Sequence, residues 1–375
     1  MNLLAYVHLR NIHGSTGAGR VARQLVEHLE GQPGLEMRVL ADPGDHQRIV
    51  PLVGEPWSSY RYHFISNGTS KQQAQWFFLG SPAAESYWPE AQVVFCTAES
   101  YVPVRKARLA VTLHDAAFFE QGAHVAGASF WKQKLKWKLL YHTLSRKANL
   151  FHTVSEFSAE RLAHFFPSIR SRLRVVHNAV PPRFFEPVSE AGQHYLREQG
   201  LCTRPFILLP RGLAHRKNAD LVLRSWPALH ERYPDLRLVI TSHSDAPYVD
   251  RARALGGSVL LTGFVSDEAL CSLYHAARAV WFPSLYEGFG LPVLEAMACG
   301  APVVASNSSS LPEVAGHAAT LVSPHSDDEH IEAISELLDQ AERRDRLRRA
   351  GMARASAFTW ESSARKLYGY FSELV

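Results

Sequence analysis

Three observations predict two doubly wound α/β domains, each built on a parallel sheet. Short apolar runs alternate with amphipathic segments along the whole chain, the pattern of βα units whose sheet is covered on both faces. The series breaks at a proline-rich stretch and restarts near Pro205. The length of 375 residues exceeds one ordinary domain and fits two.

Leu3–Leu9 opens the chain as an apolar run with little alternation, as a buried parallel strand requires. It feeds His13-Gly14-Ser15-Thr16-Gly17-Ala18-Gly19, after which Val21, Leu25, Val26 and Leu29 recur at helical spacing. This is strand, glycine loop, helix, but the glycines at 14, 17 and 19 do not make the dinucleotide fingerprint. They serve either a tight turn or a ligand. Further strands are predicted at Arg38–Ala41, Tyr62–Ser66, Val93–Thr97, Leu109–His114, Leu150–Ser155 and Leu173–His177. His114-Asp115 closes one of them, at the strand end where open α/β sheets bind ligands. Capping of the next turn by Asp115 is an equal alternative. Ser155 is placed to cap a helix over Glu156–Phe166.

The most basic segment is Phe130–Asn149, in which Leu135, Leu139, Leu140 and Leu144 are expected to line one helical face. With Trp131 and Trp137 it could lie on an anionic membrane, but the solvated face of a packed helix is the more ordinary reading and is preferred.

Pro181, Pro182 and Pro187 allow neither helix nor central strand through Ala179–Val188, the predicted linker. In the second series, Phe206–Pro210 ends in Arg211-Gly212-Leu213-Ala214-His215-Arg216-Lys217-Asn218 before a helix. Cations at a strand's carboxyl end, beside a helix start, suit phosphate. More strands are expected at Leu236–Thr241, Val259–Leu261, Ala279–Phe282, Pro302–Ala305 and Thr320–Val322. A helical, charged region follows Asp327, ending in an amphipathic helix from Thr359 with Leu367, Tyr370, Phe371 and Leu374 inward.

Phe282–Val304 is the chemically richest stretch. Glu287 precedes Gly288-Phe289-Gly290, which opens a helix carrying Glu295. A glycine turn at a helix start offers backbone N–H groups and the positive end of the dipole to an anion. A carboxylate beside such a site points to a ligand that also bears hydroxyls.

The composition excludes other classes. A net charge of +4 over this length gives no support to a nucleic-acid partner. Cys96, Cys202, Cys271 and Cys299 form no C-x-x-C pair, which argues against a disulfide framework or a zinc knuckle. No metal-ligand spacing occurs, and no cofactor is expected. No apolar run approaches the roughly 18 residues of a membrane span. The expected location is cytoplasmic, with peripheral contact at the inner face of a membrane through 130–149 left open.

The segments PRGLAHRKN, GFVSDEAL, PSLYEGFGLPVLEAMACGAPVVASNSSSLPEVAG, TVSEFSAERL and HNAVPP together resemble the group 1, family-4-like retaining glycosyltransferases of the GT-B fold. The resemblance spans the second half and the end of the first and is weak over Arg38–Arg108. Its most specific part is the E-x₇-E spacing of Glu287 and Glu295. It implies two Rossmann-like domains facing a central cleft: 1–180 on the acceptor side, 181–355 for the donor, and a terminal helix over 356–375 packing back on the first.

The resemblance also implies site residues. Glu287 would meet the transferred sugar's hydroxyls, and Glu295 the ribose. Backbone at Gly288, Phe289, Gly290 and Leu291 would hold sugar and phosphate. Arg211 and Lys217 would neutralise a diphosphate, with Arg216 as a rival to Arg211 because Arg-Gly stands here where many relatives have Gly-Arg. His114 would reach the transferred sugar, Gly17 and Gly19 would approach the diphosphate, and Val265 of the GFVSDEAL segment would join the donor site. The implied reaction moves a hexose, taken as mannose, from a nucleotide-diphosphate sugar to a glycan or lipid-linked glycan, without a metal. A glycoside hydrolase using the carboxylate pair and an inert nucleotide-sugar-binding module are the alternatives.

Overall fold

The computed structural model describes residues 1–13, 17–120 and 128–375, without side-chain placement at 128–130 and 132. Gly14, Ser15 and Thr16 of the expected glycine loop lie outside the described residues. The chain divides into two compact units, Met1–Asn178 with Trp360–Val375, and Ala179–Thr359.

The first unit holds β1 (Asn2–Tyr6), β2 (Glu36–Ala41), β3 (Tyr62–Phe64), β4 (Val93–Cys96), β5 (Arg108–Thr112), β6 (Leu150–Thr153) and β7 (Leu173–Val175). They form one parallel sheet in the order β3-β2-β1-β4-β5-β6-β7. Both faces are covered: Leu4 and Tyr6 pack into one core, Ala5 and Val7 into the other. That is why the strands read as apolar runs without alternation. The first strand is shorter than the expected Leu3–Leu9. It ends at Tyr6, because His8 turns aside to bond Ser100 and a short helix, Leu9–His13, begins.

The second unit holds β8 (Phe206–Leu209), β9 (Arg237–Thr241), β10 (Val259–Gly263), β11 (Ala279–Phe282), β12 (Val303–Ser306) and β13 (Thr320–Val322). Again all pairs are parallel, in the order β10-β9-β8-β11-β12-β13. Each sheet therefore reverses its strand order once, between β1 and β4 and between β8 and β11. Those are the positions where an open α/β sheet leaves a crevice at its carboxyl edge.

The last helix, Trp360–Ser372, belongs to the first unit. Phe371 packs on Phe95 with ring centroids 5.1 Å apart, and Ser363 Oγ donates to His177 O at 2.7 Å. Leu367 and Phe371 are buried as its apolar stripe, whereas Tyr370 and Leu374 are only half-buried.

The helix Ala128–Lys147 corrects the expected face. Tyr141 and Leu144 are its buried side chains, with Trp137 and Leu140 packed against the same core. Leu135 and Leu139 point away and are 60% and 47% exposed. At 100° per residue, Leu135 and Leu139 fall on the opposite side of the helix from Leu140 and Leu144, and the aromatic pair Trp137 and Tyr141 supplies the inward face. Among the described residues no helix is long and apolar enough to cross a membrane.

Candidate active site

The site in the second unit is assembled by loops leaving β8, β11 and β12 at their carboxyl ends. After β8 the chain turns sharply. Arg211 and Gly212 both take positive φ, 80° and 72°. A side chain at Gly212 would meet His243 O at 1.7 Å, so only glycine fits. Leu213 N donates to Ser244 Oγ at 2.8 Å, fixing the loop to its neighbour after β9. One 3₁₀ turn, His215–Lys217, then carries the cations, and Asn218 in the left-handed region starts the helix Ala219–Arg232. Asn218 Nδ2 donates to Pro324 O at 2.7 Å, which holds this awkward junction in place.

Across the switch point, the loop after β11 is tied to this turn: Leu285 N donates to Arg216 O at 3.0 Å. The tie brings Lys217 Nζ onto Glu287 Oε1 in an ion pair whose side chains are 15% and 10% exposed. Lys217 also lies over the Phe282 ring, 5.4 Å from its centroid. Burial alone would push the Glu287 carboxyl up, but Lys217 and Arg216 together hold it below its usual range, so it stays ionised. For Lys217 the balance is the reverse. Burial, reinforced by Arg216 and Arg211, lowers its basicity despite Glu287. The cations outnumber the carboxylate they surround, and a bound anion would restore the lysine.

Glu287 is held by a loop that the sequence reading did not single out. Glu287 N donates to Ser309 Oγ at 2.9 Å, and Ser310 Oγ donates to the carbonyls of Glu287 and Phe289, both at 2.9 Å. Ser308 Oγ donates to Ser284 O at 3.1 Å. These serines follow β12 and staple the glycine turn from the far side. Gly290 has φ 103°, and a Cβ there would come within 2.8 Å of Leu311. It opens the wholly buried helix Leu291–Ala298, in which Glu295 is 2% exposed. Tyr274 hydroxyl donates to Glu295 Oε2 at 3.2 Å. Arg211 is close enough to act electrostatically on both Lys217 and Tyr274. Val265, half-buried, follows β10 at the same sheet edge. Lys217, Arg216, Arg211, Glu287, Gly290 and Glu295 are thus gathered at one edge of one sheet.

The first unit carries its own polar cluster at the carboxyl edge. His114 follows β5, its backbone N–H donates to Glu99 Oε1 at 2.9 Å, and its Nε2 is buried with no hydrogen-bond partner among the described residues. Asp115 Oδ1 accepts from Ala117 N at 2.8 Å, the capping arrangement. Behind His114, His152 lies between Thr112 Oγ1 (3.0 Å) and Val176 O (3.2 Å), and burial pushes its pKa down to about 3. His8 and Ser100 meet across the β1/β4 switch at 2.7 Å, and burial lowers the His8 pKa. Gly17 begins the helix Gly17–Glu30, and Gly19 is buried in its first turn. Neither Glu99 nor His8 was legible as a site residue, because each works through a partner about 15 or 92 positions away.

Among the described residues, no three His, Cys, Asp or Glu side chains converge in a way that could hold a metal ion.

Known proteins bear on this arrangement. The family model described as glycosyl transferases group 1 matches residues 197–354, and that of glycosyltransferase family 4 matches residues 15–184. The O-antigen chain mannosyltransferase B of Escherichia coli is 31% identical over 274 residues, 70% of this chain and 69% of that protein. The MMP alpha-(1->4)-mannosyltransferase of Mycolicibacterium hassiacum is 31% identical over 278 residues, 71% of this chain and 66% of that protein. Among solved structures, sucrose-phosphate synthase from Thermosynechococcus elongatus matches with a TM-score of 0.76 at 20% identity, covering 100% of this chain and 99% of that one. The Anabaena HepE protein in complex with UDP-glucose matches with a TM-score of 0.73 at 16% identity, covering 100% of both. At these identities the structural matches establish the fold, GT-B.

Proposed function

The chain belongs to the group 1 glycosyl transferases, and from that premise we propose that it transfers mannose from a nucleotide-diphosphate sugar to a glycan or lipid-linked glycan, with retention of configuration. The observation that carries the proposal is the buried Lys217–Glu287 pair at the switch point, set among Arg216 and Arg211 beside a glycine-opened helix. Mannose is supported by the two relatives named mannosyltransferases, and a nucleotide sugar by the UDP-glucose complex of a protein with this fold.

In this reading the bond from the sugar's anomeric carbon to the diphosphate oxygen breaks, and negative charge grows on that oxygen. Lys217 and the arginines, with the helix N-terminus at Gly290–Leu291, stabilise that charge. These side chains supply the positive charge that a metal supplies elsewhere, so transfer is expected to persist in a chelator. Glu287, held ionised, accepts from hydroxyls of the transferred sugar once the diphosphate draws Lys217 away. Glu295 and the Tyr274 hydroxyl take the ribose. The acceptor oxygen bonds to the anomeric carbon on the face the diphosphate leaves, and its proton passes to the departing phosphate oxygen.

The test is a thermal-shift series with GDP-, UDP- and ADP-sugars, followed by transfer in EDTA and NMR of the product's anomeric configuration. A ligand that binds only the folded chain stabilises it by RT ln(1 + [L]/Kd), so the cognate donor stands out, and GDP-mannose is the one expected. Release of free sugar from a simple glycoside with no nucleotide requirement would overturn the reading in favour of a hydrolase.

A further inference from the structure

The helix Ala128–Lys147 does more than cover the sheet. It carries Lys132, Lys134, Lys136, Lys138, Arg146 and Lys147 and no carboxylate. The chain as a whole has 40 Lys and Arg against 36 Asp and Glu, so without this helix its net charge would be negative. Its inward face is already satisfied: Tyr141 meets Phe119 edge-on and Phe166 at a tilt, at 5.0 and 4.8 Å between centroids, and Trp137 lies 5.9 Å from Phe118.

The opposite face is apolar at its centre. Trp131, Leu135 and Leu139 follow one another at four-residue steps and are 56%, 60% and 47% exposed. At 100° per residue they span an 80° stripe. Lys134 and Lys138 flank one side of it and Lys136 the other, with Lys134 Nζ 5.4 Å from the Trp131 ring centroid. A merely solvated helix face has no reason to show three large apolar side chains in line. A stripe of Trp and Leu flanked by lysines, on a helix without a carboxylate, is complementary to one kind of surface: apolar within, anionic at its boundary.

We propose that the Trp131–Leu135–Leu139 face docks the protein on an anionic phospholipid surface, the stripe entering the acyl boundary and the lysines meeting the headgroups. The helix follows β5, and Trp137 packs on Phe118, four residues beyond His114. The docking face is therefore on the helix that adjoins the carboxyl edge of the first sheet, which suits an acceptor carried on a lipid. The docking itself does not depend on the sugar assignment and is measured without donor.

The full chain is sedimented with vesicles of phosphatidylglycerol in phosphatidylcholine and with phosphatidylcholine alone. Binding is expected only to the anionic vesicles and is expected to fall steeply with added salt. Lys134→Ala with Lys138→Ala should weaken the partition constant by about tenfold or more, since each cation near such a surface counts for about 1 kcal/mol. Leu135→Glu with Leu139→Glu should abolish it while leaving the melting temperature and solution hydrodynamics unchanged, because both side chains are exposed. Equal binding to both vesicle types, no binding to either, or binding untouched by either double variant overturns the proposal. So does a parent chain that self-associates and is made monomeric by the leucine substitutions, which would assign the face to a second copy of the chain.

Discussion

Replacing Lys217 by alanine separates the structural from the functional meaning of its pair with Glu287. Both side chains are more than four-fifths buried, so solvent screens them little. Removing one member of a buried pair strands the other, at a cost of about 3–5 kcal/mol. Here Arg216 and Ser284 remain near the carboxylate, which places the loss at about 3 kcal/mol, the lower end. For a unit the size of Ala179–Thr359, that corresponds to a fall in melting temperature of roughly 6–12 °C. Donor affinity should fall about tenfold to a hundredfold, the worth of one charge-assisted hydrogen bond. The double variant Lys217→Ala, Glu287→Gln removes the stranded charge. It should regain most of the stability and none of the donor affinity. Calorimetric melting of the full chain and isothermal titration with the cognate donor read the two effects independently. If Lys217→Ala melts with the parent, the pair is not buried in the way described. If the double variant recovers donor binding, Lys217 does not meet the diphosphate.

Other outcomes follow from the same geometry. Gly290→Ala places a Cβ 2.8 Å from Leu311 at φ 103°, and should cost about 1–3 kcal/mol in a urea titration. Glu295→Ala should raise the donor KM about tenfold with kcat nearly kept, as expected of a ribose contact worth 1–3 kcal/mol; a fall in kcat at unaltered KM would contradict it. His152 stays neutral in the folded chain down to pH about 3 but takes up a proton near 6.5 when unfolded. Stability should therefore fall as pH drops from about 6.5 towards 3, and His152→Asn should remove one proton's worth of that slope, about 1.4 kcal/mol per pH unit. A variant with an unaltered acid limb would refute it.

Much of the fold is legible in the sequence. The expected strands all occur, and in β4, β8 and β11 every residue is apolar and buried, as a strand covered on both faces requires. Ser155 was readable as a cap since its partner, Ser158 N, is only three residues away. What escaped depended on tertiary partners. Ser309 and Ser310 look like any loop serines, yet they fix Glu287 from 22 and 23 residues away. The inward face of the helix Ala128–Lys147 escapes the sequence for a different reason. Residue type alone groups Leu135 and Leu139 with the buried leucines, whereas Trp137 and Tyr141 fill the inward face.

The two sheets put the same topological position to different chemical use. In each, the loops leaving the strands at the order reversal diverge, and the crevice between them is lined by whatever follows those two strands. Between β8 and β11 these are Lys217 and Glu287, with Arg216 tied by its carbonyl to Leu285. Between β1 and β4 they are His8 and Ser100, joined at 2.7 Å, with burial keeping the imidazole from charging. Fixed positive charge in surplus favours phosphate, because the anion recovers the energy that burial has taken from Lys217. A neutral histidine and a hydroxyl offer donors and acceptors without net charge, which matches the hydroxyls of a sugar better than a diphosphate. Under the proposed function, phosphate would fall to the charged pair at one reversal, and the neutral pair at the other is the better match for a sugar hydroxyl.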